Sequence, residues 1–254
     1  MKRRLSHVLE GVERIRAALL AEKRSVPLIG FSAAPWTLMF YMVGGSSGRN
    51  TEAGEKWLAA HPSDSRALLR LLTRVVIDYL SAQADAGCHA LQLFEAMGDH
   101  ISPPSFAAFA QPCIVEIAAE LKKRHPGVPL LGFTRGAMFA LPQLQAAGFD
   151  VVTLDLTPDR KGVVKQLEAE AAGRGGVRRA TLQGNIDPSV LLPGKPVEGI
   201  DAAVASLLAD VGPQRLIANL GAGLGGGEAP ERVSRLVDQV HTQSRALVAA
   251  QAGR

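Results

Sequence analysis

Pro27-Leu-Ile-Gly-Phe-Ser-Ala-Ala-Pro-Trp-Thr-Leu-Met-Phe-Tyr41 decides how the rest of this chain is read. Residues 26–31 form a short apolar run that breaks at Ser-Ala-Ala-Pro, the pattern of a buried strand running out into a loop. Upstream, Val8, Val12, Ile15 and Leu19 recur at helical spacing, so residues 5–23 read as an amphipathic helix. Downstream, Ser63 is placed to cap a helix with Leu68, Leu71, Leu72, Val75 and Tyr79 on its apolar face, and Gly87 is placed to stop it.

The alternation then repeats to the end of the chain. Strands are expected at residues 90–94, 129–133, 151–156, 180–183 and 216–220, with helices at 104–123, 137–147, 162–172, 200–209 and 230–249. That makes six strands, each followed by a helix, with no linker rich in Pro, Gly or Ser. The expectation is a parallel sheet covered by helices: an N-terminal helix (1–23) followed by a single α/β domain (24–254).

An open doubly wound sheet and a closed barrel both fit such a pattern. No GxGxxG follows the first strand, and Gly44-Gly-Ser-Ser-Gly48 lies too far beyond it to cradle a pyrophosphate. The unusual residues collect instead after the strands, at 32–36, 95–100, 134–135, 155–157, 183–187 and 219–227. Loops gathered at the strand carboxyl ends are the layout of a TIM barrel. The predicted fold class is therefore a (β/α)8 TIM-barrel type that lacks about two strands. Six strands cannot close as eight do, so the outer edges of strands 26–31 and 216–220 are expected to lie unpaired, or to be covered by helix 5–23 or another chain.

Composition sets wider limits. Hydrophobic residues make up 47% and charged residues 20%, enough to bury a large core, and no apolar run approaches the ~18 residues of a membrane span. The basic start, Met1-Lys-Arg-Arg, is followed by Glu10, Glu13 and Glu22 in the same helical pattern, which argues against a secretory signal. A cytoplasmic address is the default, with a plastid or other organelle as the alternative. Cys88 and Cys113 have no CxxC partner and read as buried free thiols. The net charge of +4 suits an anionic small molecule. Arg174, Arg178 and Arg179 stand among glycines without aromatic neighbours, which fits a solvated turn rather than a nucleic-acid patch.

Several runs resemble one family. Pro27-Leu-Ile-Gly-Phe31, Ala34-Pro-Trp-Thr-Leu38 and Tyr41-Met are similar to the strand and loop in the middle of uroporphyrinogen decarboxylases. The resemblance continues through Ala90-Leu-Gln-Leu-Phe-Glu95, Leu154-Asp155, Thr181-Leu-Gln-Gly-Asn-Ile-Asp-Pro188 and Ile217-Ala-Asn-Leu-Gly221, in order, over residues 5 to 248. It implies decarboxylation of the four acetate side chains of uroporphyrinogen III to give coproporphyrinogen III, in haem biosynthesis, with no metal or organic cofactor. Such chemistry needs a carboxylate at the pyrrole N–H groups, cations for the substrate carboxylates, and polar groups that position the departing acetate.

The same resemblance implies departures. The family's arginine-bearing first loop and its aspartate after strand two have no counterpart here. Its serine after the phenylalanine-acid pair is Ala96, and its last-loop histidine is Ala222. Neither alanine side chain can donate or accept a hydrogen bond. Tyr41 matches the family tyrosine and is the expected catalytic residue. Phe31, Arg135, Asp155, Gln183 and Asn185 are the expected substrate-binding positions, with Arg135 suited to a bidentate carboxylate contact. Asp155 also suits a structural role, and Gln183, Asn185 and Asp187 suit backbone bonding within their turn. His89, His100 and Cys88 do not form a plausible zinc set with Cys113 in another helix. The expectation is thus a decarboxylase-like chain of weak or absent activity, or alternatively a catalytically degenerate homologue serving as a structural or partner-binding subunit. The tetrapyrrole is its ligand, a homodimer or a partner chain completing the barrel its association, and neither nucleic acid nor membrane is expected.

Overall fold

The structure is a computed structural model that describes residues 4–44, 51–156 and 159–252. The chain divides into two compact units, Met1–Val152 and Thr153–Arg254. Of the sequence features above, most of the Gly44–Gly48 run and the end of the loop at 155–157 lie outside the described residues.

In the first unit, α1 (Ser6–Ala21) precedes β1 (Ile29–Ala33), α2 (Pro35–Gly44), α3 (Ala53–Ala60) and α4 (Pro62–Asp85). β1 begins three residues later than its apolar run suggests. Leu28 gives its N–H to His89 Nδ1 (2.8 Å) and accepts the His89 N–H (2.8 Å), so a side chain occupies the ladder there. Ser63 does not cap α4: Pro62 takes the first helical position, where a missing N–H costs nothing, and His61 precedes it without a side-chain cap. Gly87 does mark the stop, with φ of 105°.

β2 (Ala90–Glu95) pairs parallel with β1 and with β3 (Leu130–Thr134). The helix expected between β2 and β3 is interrupted. α5 (Pro103–Ser105) widens into a π turn at Phe106–Ala110 before α6 (Gln111–Arg124). Pro112 explains the bulge, because it lacks an N–H and its ring crowds the carbonyl four residues back. That carbonyl, Ala108 O, accepts from Arg66 Nη1 instead (3.1 Å), and the guanidinium lies 4.4 Å from the Phe109 ring centroid. The core joins Leu69, Val76, Ile77 and Leu80 of α4 to Ile114, Ile117 and Leu121 of α6, all buried. α7 (Leu141–Ala147) and the first residues of β4 (Val151–Thr153) close the unit.

The outer edge of β1 differs from expectation. Ala34 N–H bonds Phe94 O of β2, so alternate residues aim their backbone at β2 and Phe31 aims its own away. Those groups are not orphaned: Phe31 N–H donates to Gln83 Oε1 (2.9 Å), and Gln83 Nε2 donates to Phe31 O (3.0 Å). The buried amide of α4 stands where a strand would. α1 does not cover this edge; it rests on α4 and has no buried residue of its own.

In the second unit, α8 (Arg160–Gly173), β5 (Thr181–Gln183), α9 (Glu198–Val211), β6 (Leu216–Ile217) and α10 (Pro230–Ala252) follow in turn. β5 and β6 are parallel, and the Ile186–Leu220 bridge extends them. Asp159 caps α8 through Gly162 N–H. α9 buries Ile200, Val204, Leu207 and Leu208, and Asp201 holds Arg235 of α10 through two bonds of 3.0 and 2.6 Å. Among the described residues no helix is long and apolar enough to cross a membrane.

Candidate active site

At the carboxyl ends of β1 to β3, one face of the sheet carries an aromatic row. Phe94 sits edge-on between Phe31 and Phe133, each centroid 6.0 Å away. Phe31 is 61% exposed, so the row ends in an open apolar surface. Phe31, an expected substrate-binding position, lies at the exposed end of this row.

The loops after β2 and β3 are locked together by close backbone approach. A Cβ on Gly98 would strike Arg135 O, and one on Gly136 (φ 71°) would strike Asp99. The Arg135 side chain is thereby presented outward. It is exposed, and no hydrogen bond or ion pair to it is recorded among the described residues. A guanidinium in that state is ready for a carboxylate. Tyr41 stands on the last turn of α2, 38% exposed, with its ring edge-on to Phe40 at 6.3 Å. Phe40 in turn stacks on His100 (5.4 Å). Tyr41 therefore neighbours the aromatic row's loops without a ring contact to Phe31.

Ala96 follows Glu95, the acid at the end of the Ala90-Leu-Gln-Leu-Phe-Glu95 run. Glu95 is 1% exposed and accepts from Thr37 Oγ1, whose oxygen also takes the Ala96 N–H at 2.8 Å. Its second oxygen, Oε2, has no partner. Burial pushes the carboxyl up to about 8, against the opposing pull of the Thr37 hydroxyl and the Met97 and Thr37 backbone. Glu95 is thus protonated at neutral pH and ties α2 to the end of β2. The signal was present in the strand: Leu91, Leu93 and Glu95 share one parity, so the acid points where two leucines point. Trp36 Nε1 donates to Met97 O (2.9 Å) and completes the junction.

In the second unit, Asp155, Gln183 and Asn185 are brought together, with Asn185 and Gln183 engaged by the protein itself. Thr153 Oγ1 bonds Gln183 Oε1 (3.4 Å), and Leu154 N–H donates to Gln183 O (2.8 Å). Asn185 Nδ2 donates to Asp155 O (2.7 Å), and its Oδ1 accepts from Arg160 Nη1 (3.4 Å). Arg160, which the sequence did not single out, also binds Asp210 (2.8 Å) and Ser206 (2.7 Å). Burial works against the Asp210 carboxylate, but Arg160 and Lys161 hold it below its ordinary range. Asn185 thus bonds a backbone carbonyl outside its own turn, whereas Asp187 bonds within its turn by accepting from Ser189 N–H (2.8 Å).

Ala222 is exposed in the glycine-rich loop after β6. Glu228 braces that loop by accepting from Gly225 N–H (2.8 Å) and Gly226 N–H (2.9 Å). Cys88 and Cys113 are buried free thiols, and burial pushes both up. No group of three or more His, Cys, Asp or Glu residues placed to hold a metal occurs among the described residues.

Comparison with known proteins bears on the fold and the family. A solved B12-independent methionine synthase from Shewanella sp. W3-18-1, in complex with selenomethionine, superposes with a TM-score of 0.62. It covers 97% of this chain and 68% of its own at 10% identity, which shows the fold alone: α/β, of TIM-barrel type. The family model described as Uroporphyrinogen decarboxylase (URO-D) matches residues 1–243. Named uroporphyrinogen decarboxylases from Salinibacter ruber and Homo sapiens are each 41% identical, over 95% and 96% of this chain. The chain spans 64% of the length of each of these relatives. On the family match and these identities together, the chain belongs to the uroporphyrinogen decarboxylase family.

Proposed function

We propose that this protein is a uroporphyrinogen decarboxylase homologue that binds the tetrapyrrole and turns it over weakly or not at all. The observation that carries this reading is the side-chain inventory at the strand ends. Arg135 offers an unengaged guanidinium and Phe31 an open aromatic face, which suit a multiply carboxylated macrocycle. Yet positions 96 and 222, where the resemblance implies a serine and a histidine, carry methyl groups that cannot position an acetate. Loss of one such donor commonly lowers turnover on the order of 10²–10³. Glu95 does not substitute for them, because its carboxyl is enclosed and bonded to Thr37. Tyr41 is the residue assigned a catalytic role, and Asp155, Gln183 and Asn185 shape the second unit's strand ends rather than meeting substrate carboxylates.

Anaerobic incubation with uroporphyrinogen III tests the proposal. Coproporphyrinogen is expected to stay at the level of a protein-free control while the tetrapyrrole still quenches tryptophan fluorescence. Turnover at the rate of a named relative such as the Salinibacter ruber protein overturns it.

A second reading, association through a partner, is favoured by β6. Arg215, Ile217 and Asn219 give their carbonyls to β5, so Leu216, Ala218 and Leu220 aim theirs away from it. A cleft of about 380 Å³ beside them is lined by Val233, Leu236, Val237 and Val240 of α10. A homodimer, or a chain that adds a strand here, would cover that edge. Light scattering that returns a monomer at all concentrations would exclude the homodimer.

A further inference from the structure

At the opposite end of β1 and β2, before either strand begins, lies a crease of about 370 Å³ that the chemistry above does not use. Arg16, Leu20 and Arg24 line it from the helix side, and Ser25, Val26, Pro27 and His89 line it from the strand side. No acidic side chain is among them. Among the described residues the Arg16 side chain makes no hydrogen bond or ion pair, and the only carboxylate within 4 Å of Arg24 is that of Glu22 at 3.9 Å. Both members of that pair are 63% exposed, where such contacts are worth little.

Three features hold the two arginines there. The turn after α1 passes through Lys23 at φ 53°, a left-handed conformation that a side-chain-bearing residue adopts at a cost. It folds the chain back so that Arg24 N–H reaches Leu19 O (2.9 Å), bringing Arg24 beside the helix that carries Arg16. On the other wall, a Cβ at Gly87 would come within 3.1 Å of Arg16 Cγ, so glycine gives the arginine stem room to lie against the chain. His89 adds an oriented donor. Its Nδ1 accepts the Leu28 N–H, which leaves the ring proton on Nε2. Two arginines lining one crease, with only the solvent-exposed Glu22 carboxylate 3.9 Å from Arg24 as a counter-charge among the described residues, are an arrangement that a bound anion would complete.

We infer that this crease binds a small organic anion, a carboxylate or phosphate on an apolar body. Arg16 and Arg24 take the charge, while Leu20, Val26 and Pro27 pack against the body. The class follows from the walls: cations at one side for an oxyanion, aliphatic surface at the other, and more volume than an inorganic oxyanion fills. The site does not depend on the tetrapyrrole reading, since it lies beyond the amino ends of the strands.

Calorimetric titration of the intact chain with phenyl phosphate, benzoate and inorganic phosphate, at fixed low ionic strength, tests the inference and separates the two anion types. At least one aromatic anion is expected to bind at a single site with a Kd of about 1 mM or tighter. Inorganic phosphate is expected to bind at least fivefold more weakly than phenyl phosphate. The double substitution Arg16→Gln with Arg24→Gln is expected to weaken aromatic-anion binding tenfold or more, with circular dichroism unchanged. Should the double variant misfold, Arg24→Gln alone, on the exposed turn, is expected to weaken binding at least threefold. Absence of binding by both aromatic anions, equal affinity in the folded arginine variants, or inorganic phosphate binding as well as phenyl phosphate would each overturn it.

Discussion

Glu95 lies buried at the end of β2, 1% exposed. Its carboxyl is raised from an ordinary 4.5 to about 8 by burial, so the folded chain holds a proton that the unfolded chain releases between those values. Its contribution is therefore fully present below about pH 4.5 and is lost as pH rises towards 8, at about 1.4 kcal/mol per pH unit. Urea unfolding of wild type and Glu95→Gln from pH 5 to 8 checks this. The substitution is expected to flatten the decline, leaving the variant relatively most favoured at pH 8; parallel curves would refute the assignment. The residue stood in plain view within Ala90-Leu-Gln-Leu-Phe-Glu95. Its parity with Leu91 and Leu93 was legible, but its missing second partner is a property of packing. The same holds for Arg160, whose bonds to Asn185, Ser206 and Asp210 join positions far apart in sequence. Arg135, by contrast, is a candidate that the sequence alone can raise, because a lone arginine after a strand needs no distant partner to be noticed. Arg135→Gln is expected to weaken uroporphyrinogen quenching about tenfold, the size of one charge-assisted contact, without altering unfolding.

At the scale of elements, the order of strands was legible, but α2 and α3, which stand where a loop was expected after the first strand, were not, and neither were the element edges. Period and punctuation located every strand, whereas register depended on side chains reaching the backbone, as His89 does at Leu28. The π turn at Phe106–Ala110 had a visible cause in Pro112, yet its accommodation needs Arg66 from another helix. The β1 edge was expected to be bare or covered by helix 5–23, and Gln83 serves instead. Nothing local distinguishes Gln83 from a solvent-facing glutamine, because its partner lies 52 residues away. Gln83→Leu removes both bonds and leaves the Phe31 N–H and C=O unsatisfied, so a loss of about 1–3 kcal/mol is expected in chemical unfolding. A variant as stable as wild type would mean that water replaces the amide without penalty.

Across the whole molecule, the family was readable because five collinear runs survive in order, and the match over residues 1–243 bears that out. Function was less legible. The alanines at 96 and 222 are informative only beside the family pattern, and the chain spans 64% of its relatives' length. The resemblance implies a carboxylate at the pyrrole N–H groups in addition to these donors, so restoring Ala96→Ser and Ala222→His together is expected to leave coproporphyrinogen formation below a relative's rate. A rise to a relative's rate would contradict that. The glutamine on β1 bears on this chain's behaviour in a crowded cell as well. A sheet edge plugged by a side chain is protected only while one helix stays in place, so fraying of α4 would bare a Gly-Phe-Ser-Ala ribbon that another unfolding copy could pair with. Solubility during synthesis, rather than catalysis, is then where a lesion at Gln83 would first be felt.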